Sequence, residues 1–131
     1  MVISYLGGKK FKAEYRGHSI IIDQPKDGGG EDSGMTPPEL LIASLGSCIG
    51  VYAANFLNNT GLDSSGMSVS LTWGKAAEPL RIGRIKAEIN IPNARLGKRQ
   101  PAFLKIVEHC LVHNTLMNKP EIEIKLKENE K

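Results

Sequence analysis

Cys48 and Cys110 are the residues of this sequence whose type and setting allow covalent chemistry. Cys48 lies in LGSCIG, inside a stretch with helical patterning, and Gly46 and Gly50 stand on either side of it. Glycine inside a helix costs about 1 kcal/mol relative to alanine, so two of them around one cysteine ask for a reason: close approach of another helix or of a substrate, or tight packing around an inert buried thiol. Cys110 lies in VEHCLVHNTL, on the apolar side of a second helical pattern. Were the two helices to cross at the glycines, the cysteines could reach the roughly 4.4 to 6.8 Å Cα separation of a disulfide. In a reducing compartment such a pair is one of three things: inert buried thiols, metal ligands or a redox couple. His109 and His113 flank Cys110, and Cys110 with His113 has the spacing of one helical face. A zinc centre needs four ligands, or three and a water, and the sequence has no Cys-x-x-Cys and no second histidine cluster. No metal is therefore expected.

The elements that must position these residues follow from periodicity. Phe11, Ala13 and Tyr15 alternate with Lys12, Glu14 and Arg16, as in a strand with one covered and one wet face. Gly7-Gly8 and Gly17-His18 read as hairpin turns, and Ile20 to Ile22 as a third strand. Residues 24 to 35, rich in glycine and polar side chains, read as a loop. Thr36, Pro37 and Glu39 then form a capping box at a helix start, and the helical pattern runs from Leu40 to the Asn58-Asn59-Thr60-Gly61 stop. Its apolar residues point in nearly every direction, so it is expected to be central, covered by sheet or by a second subunit. Alternating strands follow at Met67 to Trp73 and Ile85 to Ile91. A helix opened by Pro101 spans Gln100 to Asn114, and a last strand carries Ile122, Ile124 and Leu126. The order βββ-α-ββ-α-β, with antiparallel meanders, is α+β.

Length and composition narrow the function classes. A chain of 131 residues with 40% hydrophobic residues has the size of a single domain with one core, residues 1 to 131. The net charge of +3 is scattered among acids, which gives a nucleic-acid role little support. No secretory signal is recognisable and no apolar run is expected to span a bilayer, so the expectation is a cytoplasmic protein without a membrane partner.

Two segments carry a resemblance. TPPELLIASLGSC is similar to the signature of the OsmC/Ohr family, in which a helix opens with a Pro-Glu pair and holds a peroxide-reactive cysteine further along. CLVHNTLMNKPEIEIKL resembles that family's C-terminal stretch, and the element order agrees over essentially the whole chain. Leu111 stands where the family often has proline after the second cysteine, and the interval from Glu39 to Cys48 is one residue short of the best-defined hydroperoxide reductases. The likeness is thus to a generic OsmC-like branch. It implies antiparallel sheets wrapped around two central helices in an intertwined homodimer. It also implies thiol-dependent reduction of organic hydroperoxides, reset by a dithiol reductant without a cofactor. By the same resemblance Cys48 is the peroxidatic cysteine, Cys110 the resolving one and Glu39 the helix-start glutamate. Arg16, the only arginine before the first helix, is the candidate for the activating guanidinium.

Physical chemistry adds a constraint. An unperturbed thiol titrates near pH about 8.5, so an ionised Cys48 needs a nearby cation, and the helix dipole fades within one turn. A guanidinium held by a carboxylate fork would serve. Along one straight helix, Glu39 lies about 180° around and about 13 Å away from Cys48. The two are expected to serve one site only if Glu39 comes from a second chain. The alternative function, from another class, is a non-enzymatic dimer that senses oxidants or binds a small apolar ligand.

Overall fold

A computed structural model of the chain describes residues 1–129. Strands β1 (Val2–Gly7), β2 (Lys10–Tyr15) and β3 (His18–Ile22) form an antiparallel meander. Its second turn is a two-residue hairpin closed by the Tyr15–His18 pair, with Arg16 at φ 52° and Gly17 at φ 79°. Positive φ at both central positions matches the right-handed twist of the strands, and glycine takes the second at no steric cost. The expected covered face is present only in part. Ala13 is buried, whereas Phe11 and Tyr15 are exposed, because the meander has no extensive interface with the helices or with the other sheet.

Helix α1 (Pro37–Asn59) starts at the capping box read from the sequence. Leu45, Ile49, Ala53 and Leu57, spaced by one helical turn, form a stripe that packs on Phe103, Val107 and Cys110. The hairpin of β4 (Ser68–Ala76) and β5 (Arg81–Asn90) covers an adjoining face of α1 through Val69, Leu71, Ile85 and Ile89. Phe56 meets Phe103 edge-on at 5.4 Å between ring centroids, the geometry the ring quadrupoles favour. Leu57 is fully buried, so Leu57→Ala should lower unfolding free energy by about 2–5 kcal/mol, through lost transfer energy and the cavity left behind. Urea unfolding followed by circular dichroism measures that loss.

Three expectations need correction. The second helix is broken into α2 (Gln100–Val107) and α3 (Leu111–Met117). Cys110 adopts an extended backbone between them, its sulfur accepts the His113 N–H, and its carbonyl accepts the Asn114 N–H at 2.9 Å, which starts a new helix. The C-terminal strand is not formed: Ile122, Ile124 and Leu126 lie outside any sheet and are 77%, 91% and 82% exposed. A strand exists only by pairing, and among the described residues no strand pairs with this segment. Finally, α1 is long and apolar enough to cross a membrane by length and composition, with a mean hydropathy of 1.8. That run was not apparent in the sequence because small and polar residues such as Ser44, Ser47 and Asn55 interrupt it. Its Leu45-to-Leu57 stripe is spent on the core described above.

Candidate active site

The fold brings Cys48 and Cys110 together. Cys48, in the fourth turn of α1, is partly exposed and packs against the cluster that contains Cys110, which is itself fully buried. Both thiols are free. Cys110 caps α3, its Sγ accepting the His113 backbone N–H at 3.3 Å. Burial pushes the Cys110 thiol above its ordinary value; the His113 N–H opposes that, and the adjacent Cys48 thiol adds to the rise. A buried thiol disfavours its charged form. The pair is therefore asymmetric, with one cysteine partly exposed and the other held as a thiol in the core.

Of the two readings of the glycines beside Cys48, the structure favours close packing over a crossing helix. A Cβ on Gly46 would sit 2.5 Å from Leu71 Cδ1, and one on Gly50 would sit 3.8 Å from Val69 Cγ2. The notch receives side chains of β4 and not a crossing helix, and α2 with α3 pack on the neighbouring stripe. Glu39 Oε2 accepts the Thr36 N–H at 2.8 Å, and Thr36 Oγ1 accepts the Glu39 N–H at 3.4 Å, so the carboxylate closes the capping box. Arg16 sits at the tip of the β2–β3 turn with its guanidinium 5.9 Å from the Tyr15 ring centroid. Among the described residues no ion pair includes Arg16 or Glu39. A single chain thus brings the two sulfurs together and leaves the proposed cation and its carboxylate apart. His109 Nδ1 meets the Lys105 carbonyl at 2.6 Å, and among the described residues no group of three or more His, Cys, Asp or Glu has the arrangement to hold a metal.

A family model described as OsmC-like protein matches residues 29–125. The chain belongs to the OsmC-like family. A comparison with curated proteins finds no match. Among solved structures, this OsmC-like chain is similar to a Psychrobacter arcticus protein provisionally described as an osmotic stress induced and detoxification response protein. The identity is 25% and the TM-score 0.80, over 87% of this chain and 85% of that one. It shares its fold with an organic hydroperoxide resistance protein OsmC from Legionella pneumophila at 18% identity and TM-score 0.66, covering 89% and 88% of the two chains. The OsmC-like protein of Mycoplasma pneumoniae, 21% identical with a TM-score of 0.67, covers 84% of this chain and 80% of its own.

Two features of this OsmC-like chain were not read from its sequence. The first is a cavity of about 600 Å³ between α1, β5, α2 and α3, lined by apolar side chains such as Leu45, Ile49 and Met117, with Arg84, Glu108 and His113 at its wall. Its lining comes from four separate elements, so no local pattern announces it. The second is Asp23, a buried carboxylate that organises the glycine-rich loop before α1. Its oxygens accept the Gln24 N–H at 2.8 Å, the Glu31 N–H at 3.2 Å, the Ser33 N–H at 3.1 Å and the Ser33 hydroxyl at 2.6 Å. The Ser33 hydroxyl first, with the backbone N–H groups behind it, lowers the carboxyl from 3.8 to about 2 against the opposing effect of burial. Gly30 and Gly34 allow the close wrap, since a Cβ on either would meet a backbone oxygen at 2.1 Å. A depressed carboxyl stabilises the fold above its unfolded pKa and loses that contribution as pH falls through the folded value. Asp23→Asn should therefore lower the melting temperature at neutral pH, and the gap to the parent protein should close between pH 3.8 and about 2. Thermal melts across that window check it.

Proposed function

We propose that this OsmC-like protein reduces organic hydroperoxides with its two cysteines. The observation that carries this reading is the pairing of a partly exposed Cys48 with a fully buried Cys110, both as free thiols in one core cluster. The Cys48 thiolate attacks the distal oxygen of the peroxide; the O–O bond breaks, the alcohol leaves and Cys48 becomes a sulfenic acid. Cys110 displaces hydroxide from that sulfur to form a disulfide, and a dithiol reductant restores both thiols. The apolar residues packed around Cys48 favour an organic peroxide over hydrogen peroxide, and the hydroperoxide resistance named for the Legionella relative supports the same class. No cofactor enters the cycle, and a reducing, cytoplasmic setting suits it.

The working unit in this proposal is a homodimer. Exposed apolar residues on the meander (Ile3, Tyr5, Phe11, Ile20) and the unpaired C-terminal segment support it. In that unit Glu39 and Arg16 complete the site of Cys48 across the interface, consistent with the absence of an ion pair to either among the described residues of one chain. A second reading, a non-enzymatic binder of a small apolar ligand or an oxidant sensor, is favoured by the cavity beside α1. One experiment decides between them. A stoichiometric pulse of cumene hydroperoxide followed by mass spectrometry should show loss of two mass units and a Cys48–Cys110 linkage, with repeated turnover when dithiothreitol is supplied. Disulfide formation without turnover would favour the sensor, and an unchanged mass would favour the binder.

A further inference from the structure

A disulfide between Cys48 and Cys110 presents a reductant with two sulfurs, and the fold treats them unequally. Cys110 has no exposed surface and belongs to the core cluster with Leu45, Ile49, Phe103 and Val107. Cys48 is partly exposed and packs against that cluster. Thiol–disulfide exchange depends on which sulfur is attacked and on access to it. The three sulfurs stand nearly in line during exchange, so the incoming thiolate approaches from the side away from the departing sulfur. For Cys48 the departing sulfur lies on the core side and the approach comes from outside. For Cys110 the approach would have to come through the core, and the innermost residues of a fold open only with a free energy close to that of global unfolding.

Leaving-group chemistry weighs on the other side, and weighs less. Burial pushes the Cys110 thiol up, and a thiol that binds its proton more tightly departs more slowly. The backbone N–H of His113, directed at Cys110 Sγ from 3.3 Å, opposes that rise and can receive part of the charge that arrives on the sulfur as it leaves. The leaving-group effect only slows exchange at Cys48, whereas exchange at Cys110 has to wait for the core to open.

We propose that the reductant attacks the sulfur of Cys48 and expels Cys110, so that the mixed disulfide between protein and reductant forms at Cys48. This rests on the dithiol cycle proposed above. The thiolate of the reductant forms an S–S bond to Cys48 Sγ, the Cys48–Cys110 bond breaks, and its electron pair goes to Cys110 Sγ, which takes up the proton the reductant gave to water. The second thiol of the reductant then attacks the reductant's own sulfur in the mixed disulfide and releases Cys48. The protein gains two electrons, and the reductant leaves as a disulfide. Cys48 thus acts twice in one cycle, as nucleophile toward the peroxide and as electrophile toward the reductant.

The test starts from the full-length protein oxidised with diamide, which makes the disulfide without a peroxide. Excess 2-mercaptoethanol is added, samples are quenched with acid at successive times, free thiols are alkylated with N-ethylmaleimide in denaturant, and the peptides are mapped by mass. In the earliest samples mercaptoethanol should be on Cys48 and maleimide on Cys110, in at least about tenfold excess over the reverse pattern. Reduction by dithiothreitol should also keep its rate in urea below the unfolding transition, because no opening of the core is needed; this second measurement decides should the mixed disulfide not accumulate. A reverse or even pattern, or reduction that accelerates with urea, overturns the proposal. A chain that gives the Cys48 pattern but consumes no cumene hydroperoxide keeps this assignment and loses the peroxidase reading, and one that consumes the peroxide but gives the reverse pattern does the opposite. Failure of diamide to join the two cysteines removes the dithiol cycle and this assignment together.

Discussion

Cys48→Ser should abolish hydroperoxide consumption, whereas Cys110→Ser should give one full stoichiometric burst and then stop. A serine hydroxyl is far too weakly acidic to replace a thiolate, so the first loss should reach the detection limit. In Cys110→Ser the first attack remains, because Cys48 is the partly exposed cysteine of the two. Its sulfenic acid then has no resolving thiol, and excess peroxide drives it to the irreversible sulfinic form. Peroxide depletion in the first turnover, with the oxidation state of Cys48 read by mass, distinguishes the two. A burst kept in Cys48→Ser and lost in Cys110→Ser would reverse the roles, and no burst in the parent protein would remove the enzyme reading.

The full chain should sediment at twice its 14.3 kDa mass at micromolar concentration. Truncation after Asn118 should weaken that association by on the order of 10³-fold or more. The magnitude comes from Ile122, Ile124 and Leu126, each nearly bare in the single chain. Burying each contributes about 1.5–3 kcal/mol, and about 1.4 kcal/mol is tenfold in a dissociation constant. The outer edges of both sheets, a three-stranded and a two-stranded one, also hold unpaired backbone groups that a second chain can meet. Ile124→Asp, which keeps the length of the chain, should act in the same direction. Dilution series by analytical ultracentrifugation measure the shift, and a full-length chain that stays monomeric would remove the shared site along with the dimer.

Helix α1 was legible because its start signal is local: Thr36, Pro37 and Glu39 state it within four residues, and both arms of the capping box are made. The hairpins were legible because alternation and glycine turns are also short-range signals. The break at Cys110 was not. No glycine or proline marks it, and a cysteine sulfur does the capping usually given to serine, threonine or a carboxylate. The C-terminal residues alternate correctly for a strand, but pattern alone does not supply a partner. At the candidate site, the sequence singled out both cysteines, which the fold gathers into one cluster, whereas the unpaired ring nitrogen of His113 is a property of the packed core that no local pattern shows. Asp23 carried one readable signal, an aspartate directly before Gln-Pro at a loop start, where its carboxylate can bond to the following backbone; the glycines behind it drew the reading toward plain flexibility.

The Asp23 clamp bears on how the chain would meet a second copy. A twelve-residue segment rich in glycine would ordinarily let the meander swing freely, and association would then carry the entropy of fixing it. Here one carboxylate gathers donors from up to ten residues away, and Ile22 forms a bridge with Met35 just before α1. The arm is already aimed. Encounter between two such chains should therefore resemble the docking of rigid bodies more than folding upon contact.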